Sequence, residues 1–135
     1  MTNYIEPTQA AGAELFSRNI QGEVVMLNLM RFKKVADYSK HPKLASTEPI
    51  SGESAYQTYI TLTQPFLEQS GGEIMLLGKG GCFFIGPSDE KWDMVMLVKQ
   101  RSLQDFLAFA SNPEYQAIIG HREAAIYDSR LLPIA

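Results

Sequence analysis

The order of apolar runs predicts one α+β domain, a four-stranded antiparallel sheet with helices on one face. Three observations carry that prediction. Val24-Val25-Met26-Leu27-Asn28-Leu29-Met30 and Trp92-Asp93-Met94-Val95-Met96-Leu97-Val98 are apolar at successive positions, and so on both faces of a strand. Two stretches with apolar residues at helical spacing, near 53–67 and 103–119, fall between the strands. The length of 135 residues, 45 % apolar and 20 % charged, suits one ordinary domain with a real core.

Each element follows from its residues. Thr8 caps a first helix running to about Asn19, with Gly22 as a stop signal. Its apolar positions, Ala11, Leu15 and Phe16, are few, which suits a peripheral element. Residues 1–22 are therefore read as an N-terminal helical extension to a domain spanning 23–135. The first strand covers about 23–31. A polar segment with Pro42, Pro49 and Gly52 follows without a period, and loops this long are often functional or mobile. A second helix starts near Glu53 and buries Tyr56, Tyr59, Ile60, Thr63, Phe66 and Leu67. Pro65 predicts a kink or an early end.

Gly71-Gly72 closes that helix and turns the chain. Glu73 to Leu77 reads as a strand, with Gly78, Gly80 and Gly81 marking a bulge or close backbone approach. Cys82 to Ile85 resumes it, Gly86 to Asp89 turns, and Lys91 to Lys99 returns as a hairpin partner. Ser102 with Asp105 opens another helix through a capping-box-like pair. Asn112-Pro113-Glu114 restarts it, and His121 and Arg122 end it. A last strand runs from about Ile126 to Leu132, with Pro133 beyond. After the first helix the order is strand–helix–strand–strand–helix–strand, the split βαβ or ferredoxin-like arrangement.

Helices bury only one face of such a sheet. Half the side chains of the two apolar strands would then face water, at ~1.5–3 kcal/mol each and roughly 10–20 kcal/mol together. That rivals the whole stability of a domain and leaves a sticky patch. A homodimer packed through the open sheet face covers it; the alternative cover is the N-terminal helix.

Composition narrows the function classes. A net charge of −3 argues against nucleic acid, and Lys33, Lys34, Lys40 and Lys43, interleaved with Asp37 and Glu48, read as a solvated loop. The single cysteine, Cys82, excludes an internal disulfide framework and fits a reducing compartment. The N-terminal residues lack a signal-peptide pattern, and no apolar run approaches the ~20 residues of a membrane span. A cytoplasmic protein is expected. There is no nucleophile elbow, phosphate loop or dinucleotide fingerprint. Two histidines, His41 and His121, without Cys/His/Asp spacing give no metal motif, so no metal or cofactor is expected.

Seven segments occur in a telling order: Asn28-Leu29-Met30-Arg31-Phe32, Gly52-Glu53-Ser54-Ala55-Tyr56, Gly71-Gly72, Trp92-Asp93, Asn112-Pro113-Glu114-Tyr115, Arg122-Glu123-Ala124-Ala125 and Asp128-Ser129-Arg130-Leu131. Together they resemble an uncharacterised family of small dimeric α/β-barrel proteins, domain-of-unknown-function family 1330, over about residues 23–133. The resemblance implies the ferredoxin-like fold and a face-to-face dimeric α/β barrel. The wider superfamily includes cofactor-independent monooxygenases, muconolactone-isomerase-like enzymes, haem-degrading enzymes and haem-binding chlorite dismutases. Their common theme is small-molecule chemistry between helices and sheet, but fold does not fix function.

Several residues break the apolar pattern. Asn28 lies mid-strand among Val, Met and Leu; its amide either lines a pocket and orients a substrate oxygen or bonds neighbouring backbone. Asp93, beside Trp92, is either a general base or half of an ion pair with Arg31, Arg122 or Arg130. His121 is a candidate proton shuttle, or a cation against a helix dipole. Arg122 suits bidentate capture of a carboxylate. Tyr56 and Tyr59 have ring bodies suited to the core and hydroxyls that need partners. The candidate catalytic set is thus Asp93, His121 and Arg122. The candidate substrate contacts are Asn28, Arg31, Tyr56, Tyr59 and Trp92.

Two functional readings follow. One is binding, with cofactor-independent transformation by isomerase- or monooxygenase-like chemistry, of a small apolar carbonyl or aromatic compound. The other is a non-catalytic ligand-binding or interaction homodimer.

Overall fold

The computed structural model describes residues 3–135; Met1 and Thr2, part of the N-terminal extension, lie outside it. Four strands, β1 (Val24–Phe32), β2 (Glu73–Cys82), β3 (Lys91–Gln100) and β4 (Ile126–Ile134), form one antiparallel sheet in the order β2-β3-β1-β4. The helices are α1 (Gln9–Ser17), α2 (Gly52–Gln69), α3 (Leu103–Ala110), α4 (Pro113–Gln116) and α5 (Gly120–Ala125), with a single 3-10 turn at Pro42–Leu44. The chain has the expected α+β ferredoxin-like fold, with helices on one face of the sheet.

The predicted caps form. Thr8, Ser102 and Asn112 each accept a backbone N–H of the first turn that follows, and Ser51, which sequence reasoning missed, does the same for α2. The register then sorts the strands into two faces. Val24, Met26, Asn28 and Met30 of β1 lie opposite Gln100, Val98, Met96 and Met94 of β3. This is the covered face, where the methionines and valines meet Tyr56, Tyr59 and Leu67 of α2 and Tyr115 of α4 in one buried core. Leu15 of α1 packs against the same core together with Ile5 and Ile20, so α1 does not close the opposite face.

The opposite face is open. It carries Val25, Leu27 and Leu29 of β1, Val95 and Leu97 of β3, Leu76 of β2, and Leu132 and Ile134 of β4. Leu76, Leu132 and Ile134 are 54 %, 56 % and 43 % exposed. The double apolarity of the two strongest strands therefore matches one covered face and one bare apolar face.

Four local expectations are corrected. First, α2 continues past Pro65 to Gln69, because the exposed proline disturbs only one turn of an 18-residue helix whose stripe is already anchored. Second, the irregularity of β2 falls between Ile74 and Leu76 and the glycine stretch remains paired, although the expected close backbone approach holds at Gly80, where a Cβ would collide with the Trp92 carbonyl oxygen; Phe83–Ile85 leave the strand as an exposed loop. Third, the chain between α4 and α5 turns at 117–119, so His121 and Arg122 lie near the start of a separate short helix. Gly120 sits there so close to His41 and Leu44 that a Cβ would come within 2.7 Å of each. Fourth, Pro133 lies inside β4, which tolerates it as an edge strand paired only to β1.

Candidate functional site

The fold distributes the predicted site residues among three places. Asn28, Tyr56, Tyr59 and Arg122 belong to the helix side. Tyr59 and Tyr115 share a hydroxyl–hydroxyl hydrogen bond of 2.6 Å, fully buried. Tyr56 stacks between Phe32 and Tyr59, with ring centroids 5.3 and 5.2 Å apart. Tyr115 packs on Phe109 at 4.4 Å. Burial pushes the hydroxyls of Tyr56, Tyr59 and Tyr115 well above their ordinary pKa, while the nearby Arg122 guanidinium pulls all three the other way. These tyrosines therefore stay protonated and act as hydrogen-bonding groups, not bases. Arg122 also donates to the Ile5 carbonyl at 2.7 Å, which ties the N-terminal segment to the cluster. The Thr63 hydroxyl, one turn beyond Tyr59, is buried beside the Tyr59–Tyr115 pair.

Asn28 donates its side-chain amide to the Met26 carbonyl at 3.1 Å and, more weakly, to the Met96 carbonyl at 3.5 Å. Its donor is thus held by backbone. Yet it remains half-buried, and its register partner on the same face, Leu131, is 45 % exposed. Among the covered-face residues of β1, Asn28 is the least buried; Val24, Met26 and Met30 are all buried.

Arg31, Trp92 and Asp93 meet elsewhere, where the β1–β3 ladder ends at Met30 and Met94. Asp93 is exposed, and its carboxylate accepts the Phe32 N–H at 2.8 Å. Arg31 donates through Nε and Nη2 to the Lys91 carbonyl, at 3.0 and 2.6 Å. The indole of Trp92, only 2 % exposed, has the guanidinium groups of Arg31 at 5.3 Å and Arg130 at 5.0 Å from its ring centroid. Arg130 also stacks on Tyr4 at 4.8 Å and pairs with Asp128 at 2.7 Å. Burial alone would raise the Asp128 carboxyl, but the Tyr4 N–H, Arg130 and the Ser129 N–H hold it below its usual value.

His121 occupies a third place, under the 33–50 loop. Its Nδ1 is 2.7 Å from the Tyr38 hydroxyl, and desolvation lowers its pKa. His41 from the same loop meets Glu123 at 2.6 Å. Backbone bonds from Lys33 to Ala125 and from Asp37 to Ala124 complete the strap. Sequence reasoning missed Tyr38, His41 and Glu123, because their pairing joins a loop without period to a helix about 80 residues away. Among the described residues no three His, Cys, Asp or Glu side chains gather as a metal site, and no helix is long and apolar enough to cross a membrane.

The family described as a domain of unknown function, DUF1330, matches residues 44–132. The chain belongs to this family. Its structure is similar to two crystal structures of the RPA0582 protein, of unknown function, from Rhodopseudomonas palustris. Both are 32 % identical to it. The methylated form matches with a TM-score of 0.86 over 99 % of this chain and 95 % of that one; the other matches with 0.83 over 98 % and 96 %. No protein of curated function matches. The DUF1330 match begins after β1, so Asn28 and Arg31 lie outside it, while the structural match includes nearly the whole chain.

Proposed function

We propose that this DUF1330 protein is a homodimer, joined through its open sheet face, that binds a small, largely apolar carbonyl or aromatic compound. The compound enters the helix-side opening above Asn28. The observation that carries this reading is the half-burial of Asn28, a polar side chain in a central strand on the face the helices cover, next to the exposed Leu131 of the edge strand β4. Apolar walls with a few convergent polar groups are the usual make-up of a small-molecule site. Met26, Met30 and Met96 supply adaptable apolar surface. Tyr56 and Tyr59 supply hydroxyls that remain neutral. Arg122 supplies the fixed cation, suited to a ligand oxygen or carboxylate. Binding is favoured over isomerase- or monooxygenase-like turnover because Asp93 and His121, the candidate bases, both lie outside this cluster.

A thermal-shift screen of small carboxylic acids, aromatic carbonyl compounds and haem tests the reading. A compound that raises Tm should lose its shift in Asn28→Ala and in Arg122→Ala, each measured against its own ligand-free Tm. A shift that survives both substitutions places the ligand elsewhere and overturns the proposed opening.

A further inference from the structure

The N-terminal extension is tied to the domain by side chains and not by a ladder. The Tyr4 N–H donates to Asp128 Oδ1 at 2.8 Å, and the Tyr4 carbonyl accepts from the Ser129 hydroxyl at 2.6 Å. The Ile5 carbonyl accepts from Arg122 Nη1 at 2.7 Å. Further along, Arg18 donates to the Pro133 carbonyl at 3.0 Å. Ser129 and Pro133 flank Leu131 on β4, and Leu131 is the register partner of Asn28. The extension therefore meets β4 on either side of the row that holds Asn28. Among the described residues, no backbone–backbone hydrogen bond joins residues 3–8 to the sheet, and none of residues 3–22 is buried. A segment with so few buried contacts opens locally far more easily than a core strand.

Arg122 is the group this segment holds. The guanidinium groups of Arg101 and Arg130 are paired with Asp105 and Asp128. Arg122 is half-buried, yet among the described residues no carboxylate lies within 4.0 Å of it. Its one hydrogen bond there goes to the Ile5 carbonyl, a neutral acceptor. Its charge reaches the hydroxyls of Tyr56, Tyr59 and Tyr115, which stay protonated and so do not neutralise it. A carboxylate would give this guanidinium a second, parallel hydrogen bond and an opposite charge at short range, neither of which a backbone carbonyl supplies. The Ile5 carbonyl thus stands where the oxygen of a bound acid would go.

We infer that residues 4–6 form a gate over Arg122, and that the compound which opens it is a carboxylate with an apolar body. This rests on the helix-side site proposed above and names the ligand group that the site selects. The carboxylate takes the guanidinium from the Ile5 carbonyl, and the surface of Met26, Met30 and Met96 takes the apolar body. A neutral ketone or amide offers only the kind of acceptor that Ile5 already provides, so it gains little from the exchange. Apparent affinity then scales with the fraction of molecules in which the Ile5 contact is broken. The neighbouring anchors on Tyr4, from Ser129 and from the Arg130 guanidinium at 4.8 Å, hold the gate without touching Arg122. They can be weakened while the binding group stays intact.

The test titrates the full chain with benzoate, phenylacetate and hexanoate, each against its neutral amide, by calorimetry. At least one acid should bind at least tenfold more tightly than its amide and lose binding in Arg122→Gln. The same acid should bind roughly fivefold more tightly in Ser129→Ala, the worth of one net hydrogen bond removed from the gate. Tyr4→Ala, at an exposed position, loosens the same segment and should tighten binding too if Ser129→Ala fails to fold by circular dichroism. Hydrogen exchange of the N-terminal peptide should speed up when the acid is bound. Amides that bind as well as acids, with Arg122→Gln and Asn28→Ala still weakening them, overturn the inference and leave the helix-side site standing. An acid whose affinity is unchanged or weaker in both gate variants, with exchange unaltered, overturns the gate. Acid binding that survives Arg122→Gln and Asn28→Ala overturns both the inference and the site. If none of the six compounds binds, the inference falls, and the wider screen above still decides the site.

Discussion

The helix-side tyrosine cluster and the root of the β2–β3 hairpin are both rich in aromatic rings and arginine, yet they are built on opposite plans. In the cluster, the buried Tyr59–Tyr115 pair satisfies itself with one short hydrogen bond, and Arg122 stands beside three neutral hydroxyls. At the root, charge is internal: Asp128 holds Arg130, and Trp92 contacts both Arg130 and Arg31, which is itself bound to the Lys91 carbonyl. The first arrangement leaves a cation beside neutral hydroxyls on the helix side of the sheet. The second spends its donors on backbone and on its own carboxylates, so it aims a strand and has little left for a ligand. Similar composition thus sets a cation beside neutral hydroxyls in one region and fixes a strand end in the other.

The largest expected effect tests the architectural region. Trp92→Ala should remove a buried wedge and lower stability by about 3–5 kcal/mol, measured by denaturant unfolding. A loss below about 1 kcal/mol would mean that the root is not a packed anchor. The cluster should give a smaller and non-additive response. Tyr59→Phe or Tyr115→Phe alone strands a buried hydroxyl and should cost about 1–3 kcal/mol. The double substitution should cost less than the sum of the two singles, because no unpaired hydroxyl remains. Strict additivity would break the assignment of that hydrogen bond as a closed pair.

The smallest effect concerns the strap that joins the 33–50 loop to α5. Desolvation lowers the pKa of His121 below its ordinary 6.5. Below pH 6.5 the unfolded chain therefore binds the proton more readily than the folded one. This contribution to stability is full above that pH and declines as pH falls towards the folded value. Subtracting the stability profile of His121→Gln from that of the wild type, between pH 5 and 8, should show a difference that worsens for the wild type on the acid side. A flat difference would show that burial does not disfavour the imidazolium there.

The element order, the caps and the contrast between a covered and a bare sheet face were legible in one dimension, because caps and strand alternation depend on neighbours in sequence. Thr8, Ser102 and Asn112 act within a few residues, and the period of two assigns Val25 and Met26 to different faces wherever the strand goes. The grouping of the candidate site was only partly legible. Asn28 and Asp93 stand out in sequence because each interrupts an apolar strand. Only the register and the end of the β1–β3 ladder show that they fall in different regions, with Asp93 on the Phe32 N–H and Asn28 on strand carbonyls. The loop with His41 gave no signal, since its partners on α5 lie about 80 residues downstream.

By itself, then, the sequence determined the ferredoxin-like order and a sheet with two apolar faces, because both follow from local periodicity and capping. The tertiary structure decided which face the helices cover, that Asn28 stays half-buried beneath them, and that β2 and β3 go on pairing past the last β1–β3 pair. Those features depend on where strands of different length stop pairing and on which distant side chains meet there. Neither is written in the spacing of residues along the chain.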